Sequence, residues 1–182
     1  MGVASFRQLI LGLSICTACT FSNTPLRADA ESDSLFTFTP PIGWRRALGS
    51  NEIIHYINPE NKANCRISVS PPQAVSIDDF QETYNLLFEE KINAFGDMGY
   101  FYDSQHEPSF ERNNDGSHQI YSQVVLENNE GDVIYYQAKF ISKDEHAQML
   151  EWIGDLKKCA FESIQAKSSF DTVRLKALRS NS

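Results

Sequence analysis

Two stretches of strict alternation, joined by a short polar turn, constrain this chain more than any other feature. Residues 118–127 (HQIYSQVVLE) put Ile120, Ser122, Val124 and Leu126 on one side and Tyr121, Gln123 and Val125 on the other. Successive side chains of a strand point to opposite faces, so this is a strand pattern with two distinct faces. Residues 128–132 (NNEGD) have hairpin-turn composition, and residues 133–141 (VIYYQAKFI) read as the return strand. A lone two-stranded hairpin is marginal in water, so the rest of the chain must supply further strands and a cover.

Further strands are legible upstream. Residues 35–39 alternate before Pro40 and Pro41 stop them. Residues 52–58 carry Ile53, His55 and Ile57 on one face and Ile54 and Tyr56 on the other; a turn-forming NPENK follows. Residues 64–70 set Cys65, Ile67 and Val69 against Arg66, Ser68 and Ser70. The period then changes. Ile77, Phe80, Tyr84, Leu87, Phe88, Ile92 and Phe95 recur at helical steps, with Ser76 and Asp79 spaced as a capping box and Gly96 expected at C′. Residues 99–103 return to a strand pattern, and 107–116 read as a loop with a short strand at Phe110. Residues 142–169 fit either one long helix or a turn at 142–145, a strand over 146–153 and a helix after Asp155. The second reading is preferred, because Gly154-Asp155 resembles a helix start and 142–145 a hairpin loop. Six or seven strands, mostly joined by short loops, with two helices, make an α+β domain with a largely antiparallel sheet.

The first thirty residues read differently. Arg7 precedes a thirteen-residue apolar run over 9–21, too short to cross a bilayer but suited to a secretory signal. Ala28-Asp29-Ala30 offers a cleavage site, so residues 1–30 are expected to be removed after Ala30. The alternatives are an uncleaved anchor and lipidation at Cys19, which would tether the protein to a membrane. Cleavage leaves a single domain over 31–170 and a flexible, partly basic tail over 171–182. The full chain carries a formal net charge of −8, and loss of Arg7, Arg27 and Asp29 makes the remainder slightly more acidic. That balance disfavours nucleic acid and anionic lipid as partners. Of four cysteines, Cys65 and Cys159 survive cleavage. Both fall on core-facing positions of this arrangement, so an oxidising compartment invites a Cys65–Cys159 disulfide; two buried thiols are the alternative.

The opening FTFTPPIGW of residues 36–44 and the closing Ser168-Ser169-Phe170, in this order of elements, resemble the PsbP-like superfamily. Its members include an extrinsic photosystem II subunit, DcrB-type bacterial lipoproteins and a Ran-binding import factor. The resemblance spans roughly residues 35–170. It implies a three-layer α/β/α arrangement with the sheet between helices, and a non-catalytic role in binding or assembling a larger complex. It transfers no ligand residues, and shared fold does not transfer function.

The residues themselves offer little chemistry. His55, His106, His118 and His146 lack metal-ligand spacing, although His118 and His146 would meet if their strands were neighbours. Asp78-Asp79 and Glu89-Glu90 fall on the polar helix face, and no serine sits in a nucleophile elbow. No catalytic residue, metal or cofactor is therefore assigned. Tyr100, Tyr102, Tyr135 and Tyr136 are the candidate protein-partner surface, because aromatic anchors dominate interface energetics. The function expected is an exported, non-enzymatic binding or assembly protein of the bacterial envelope or an equivalent space. A secreted effector or inhibitor of a foreign protein is the alternative, and a small hydrolase built on His55 or His118 the third reading.

Overall fold

A computed structural model describes residues 34–60 and 65–176. The export segment, the cleavage position after Ala30, Cys19 and residues 177–182 lie outside the described residues. Strands β1 (Phe36–Thr37), β2 (Arg45–Leu48), β3 (Ile54–Ile57), β4 (Cys65–Val69) and β5 (Gln73–Ala74) lead to helix α1 (Phe80–Asp97). Then follow β6 (Tyr100–Arg112), β7 (His118–Asn128), β8 (Val133–Lys143), β9 (His146–Asp155), helix α2 (Ala160–Asp171) and β10 (Arg174–Leu175). The main sheet runs β2-β3-β4-β9-β8-β7-β6, with β5 alongside β9; every described pairing is antiparallel. The path has seven strands, with the two-residue β5 as an eighth member, but β2 was not read from the sequence and the strand at 36–37 pairs with β10 in a separate two-stranded sheet.

The predicted hairpin holds, and its turn chemistry explains why. Asn128 Oδ1 accepts from the backbone N–H of Glu130 and Asp132, while Gly131 takes φ +75°. The second hairpin, β8–β9, turns at Asp144 and Glu145 with φ of 50° and 60°, a left-handed pair that other residues fill more readily. That tight turn makes 146–155 a strand, which resolves the ambiguity over residues 142–169 in favour of the second reading, but Gly154 and Asp155 end the strand instead of starting the helix, which begins at Ala160.

Helix α1 begins at Phe80, one turn later than the capping residues imply. Ser76 and Asp79 do bond reciprocally, with Asp79 N–H donating to Ser76 Oγ (3.2 Å) and Ser76 Oγ to Asp79 Oδ2 (2.8 Å). They close the turn that leads into the helix, and this leaves Ile77 49% exposed, off the buried stripe. Gly96 is helical; Gly99, at φ +86°, is the glycine that reverses the chain.

The alternation of the long strands sorts two cores. Phe80, Tyr84, Phe88 and Phe95 of α1 pack on Ile120, Val124, Leu126, Tyr136, Phe140 and Met149. Ala166 and Phe170 of α2 join Ile54, Tyr56, Ile67, Val69, Leu150 and Trp152 on the opposite face. The sheet therefore lies between helices, as the family resemblance implied. Two expectations fail. Residues 107–112 are strand rather than loop, because β6 stays paired to β7 through two register shifts, the second of which spans Pro108. The tail does not fray from residue 171: β10 pairs with β1, Phe36 opposite Leu175, and tucks Val173 and Leu175 against the α2-side core.

Cys65 and Cys159 are both fully buried and joined as a disulfide, with Cα atoms 6.0 Å apart across a separation of 94 residues. Cys65 is paired with Gly154, whose missing side chain makes room for the indole of Trp152. Replacing both cysteines with serine is expected to cost about 3–5 kcal/mol in a denaturant titration; the oxidised wild type under reductant should fall the same way. Gly154→Ala is expected to cost about 1–3 kcal/mol by pushing the indole off its seat, read as a lower midpoint at unchanged slope.

Candidate functional site

The histidines can be tested first. His55, Ser68 and Glu151 stand side by side on β3, β4 and β9, on the α1 face. His55 Nδ1 lies 3.0 Å from Ser68 Oγ. The other ring nitrogen packs against Gly49, where an added Cβ would overlap it. Glu151 is committed elsewhere: Oε1 accepts from Tyr136 Oη at 2.7 Å and pairs with Lys91 Nζ at 3.0 Å. A hydrolytic triad needs the imidazole between hydroxyl and carboxylate. Here the hydroxyl is in the middle, and Ser68 is buried. His118 lies against Phe80 and Phe110, with ring centroids 6.2 and 5.8 Å away. It cannot meet His146, because β8 separates their strands and Ala147, rather than His146, shares its row. Among the described residues no group of three or more His, Cys, Asp or Glu side chains could hold a metal.

The polar row on the α1 face has an electrostatic signature. Burial holds the His55 imidazole at about 4, with the Arg66 guanidinium adding to the depression. Glu151 is pulled below the usual carboxylate range by the Lys91 ammonium and the Tyr136 hydroxyl, which outweigh its burial. Within the row the Lys91–Glu151 ion pair joins α1 to the sheet, while the His55–Ser68 and Tyr136–Glu151 hydrogen bonds link neighbouring strands.

The four tyrosines do not form one surface. Tyr136 is buried beneath α1, its hydroxyl on Glu151. Tyr135 points to the opposite face, where it accepts from Gln137 Nε2 at 2.9 Å and meets the edge of Trp152 at 5.2 Å. Tyr100 is half-buried against the α1-side core. Tyr102 alone is substantially exposed, at 49%. Adjacent residues of a strand point to opposite faces, which separates 135 from 136 by alternation alone.

What the structure offers instead is the free edge of β6. Thirteen residues long and last in the strand order, it is exposed at every described side chain from Phe101 to Arg112. Phe101 (58%), Tyr102 (49%) and Phe110 (52%) are spread along it. Tyr102 and Phe110 sit opposite Leu126 and Ile120 and so flank α1, while Phe101 sits opposite Glu127 on the other face. Sequence reading placed a short strand at Phe110 but left it out of the candidate surface, because the polar residues around it show no alternating face.

His55 gives a pH prediction. Its folded-state pKa lies below the ordinary value of 6.5, so the unfolded chain binds the proton first as pH falls. Stability is therefore present above about pH 6.5 and lost as pH falls toward 4, by on the order of 2–3 kcal/mol. His55→Gln should remove this part of the acid dependence, visible as a flatter pH profile of denaturant midpoints for the variant and a wild-type-minus-variant difference that falls as pH drops from about 6.5 toward 4.

No protein-family model matches the chain, and no curated protein does either. Solved structures do. The solution structure of cyanobacterial PsbP from Synechocystis sp. PCC 6803 aligns with a TM-score of 0.58 at 8% identity, covering 78% of this chain and 87% of that one. The Ran-binding protein Mog1p of Saccharomyces cerevisiae aligns at 0.44 and 12% identity, covering 78% and 90%. The order of elements, the antiparallel sheet between two helices and the alignment to cyanobacterial PsbP give this chain the PsbP-like fold that its opening and closing motifs resembled.

Proposed function

We propose that this protein is an exported, non-catalytic binding or assembly factor whose β6 edge docks a partner protein. One observation carries the reading: a long sheet edge that no other described strand pairs with and that displays Phe101, Tyr102 and Phe110 to solvent. Exposed edges with spaced aromatic side chains fit recognition by strand addition, in which backbone hydrogen bonds give affinity and side chains give choice of partner. The edge carries devices against pairing with its own copies. Pro108 lacks an N–H, and two register shifts break the ladder geometry. Export rests on residues 1–30 and on the buried cystine, which an oxidising compartment maintains. The non-catalytic reading rests on the committed state of Glu151 and the buried Ser68, together with the family resemblance.

The test is affinity capture from the native cell envelope, with Phe101→Asp plus Phe110→Asp set beside wild type and Ile164→Asp, an exposed α2 position. The double variant is expected to lose at least about tenfold of a specifically captured partner with its thermal midpoint nearly unchanged, while Ile164→Asp retains it. Equal recovery by all three proteins would remove β6 as the docking edge.

A further inference from the structure

On the α2 side of the sheet, at the end that carries the β6–β7 turn, the structure has a shallow, open depression of about 470 Å³. Its apolar part comes from the half-buried Val173 and Leu175 at the β10 ribbon, over the buried Ile141 of β8. Its polar wall comes from the β6–β7 turn and the start of β7, as Asn113, Asn114 and Gln119, with Asp115 and Arg174 completing the lining. The site exists because β10 folds back on β1, so a frayed tail would have left it without one wall.

The charges lining the cleft are engaged inside the fold. Asp115 Oδ1 accepts from Ser117 N–H (3.1 Å) and Ser117 Oγ (2.6 Å), and Oδ2 pairs with Lys143 Nζ (3.3 Å). These bonds pull the Asp115 carboxyl down to about 2 and keep it ionised. Arg174 Nη1 donates to the backbone oxygens of Asp171 (3.0 Å) and Val173 (2.8 Å). One carboxylate and one guanidinium cancel, so the lining carries no net charge to select an ionic ligand. The amides are differently placed. Asn113 Nδ2 donates to Ser117 Oγ and Gln119 Nε2 to Glu111, which fixes both side chains and leaves a carbonyl oxygen on each to accept. Asn114 adds an exposed amide that both donates and accepts.

We infer that this cleft binds a neutral, polyhydroxylated ligand, a sugar residue of a glycan. Amide groups suit hydroxyls because each side can donate and accept, and the apolar floor suits the C–H face of a pyranose ring. A free anion would find Arg174 already half used and Asp115 beside it. The proposal is independent of the β6 docking edge, since Phe101, Tyr102 and Phe110 do not line the cleft.

The experiment uses the full chain, ligand-observed NMR and calorimetry, with maltotriose, cellotriose and triacetylchitotriose as probes. At least one triose is expected to bind saturably with a Kd in the range of about 0.1–10 mM. Asn114→Ala, an exposed position, and Gln119→Leu should each weaken it by about fivefold or more with the fold intact by thermal melt. Inorganic phosphate at matched ionic strength should not compete, and Phe101→Asp should bind sugar as wild type does. Absence of binding for all three trioses at about 10 mM, unchanged affinity in both variants, or displacement by phosphate would overturn the proposal.

Discussion

Strand β9 is the element on which the rest depends. It pairs with β4 on one side and β8 on the other, and so joins the N-terminal strands to the C-terminal meander. Its two faces carry different cargo. Glu151 reaches Lys91 of α1 and Tyr136, while Trp152 fills the core under α2 and lies over Gly154. The β4–β9 pairing brings together residues more than eighty positions apart, and loop closure of that length is costly before the contacts form. The Cys65–Cys159 cystine sits at the end of this pairing, where it holds the two halves in register. Its chain-entropy benefit falls on the contact that needs it most.

The two helices leave the sheet unevenly covered, and this gives the molecule its surfaces. Along β7 and β8 the α1 face is closed, with Ile120, Val124, Leu126, Tyr136 and Phe140 all buried. On the other face Tyr121, Gln123, Tyr135 and Lys139 are only half-buried, because α2 lies over β3, β4 and β9. A polar network answers the partial cover: Gln137 Nε2 donates to the hydroxyls of Tyr121 and Tyr135, each at 2.9 Å. Beyond it the sheet ends in β6, where Tyr102 and Phe110 lie at the margin of α1 and, with Phe101, stay about half exposed. The proposed docking edge lies at this open margin, and the proposed sugar site where β10 folds back beside β7 and β8.

The elements with strong periodicity were legible from the residues alone. The alternation over 118–127 and 133–141 predicted both strands, and the apolar stripe of Phe80, Tyr84, Phe88 and Phe95 predicted the helix. The weak points were polar or short. Residues 107–112 carry one large apolar side chain, Phe110, so only a short strand at that position was legible and the length of the pairing to β7 was not. Arg174-Leu175 is a two-residue strand whose partner lies near the other end of the chain, and composition alone read it as a tail. Among the partner tyrosines, the split between Tyr135 and Tyr136 followed from alternation, but the burial of Tyr136 depended on which face α1 would cover.

The sequence by itself determined the alternation of the strands, the two covering helices and the cysteine pair suited to bridge them, because each is written in local spacing. Which half of each face stays open, which edge of the sheet is free and where a depression forms were decided only by the tertiary structure. Those properties depend on where α1, α2 and the β1–β10 ribbon come to rest. Their positions are set by contacts between residues far apart in the chain, and no local pattern encodes the sum of those contacts.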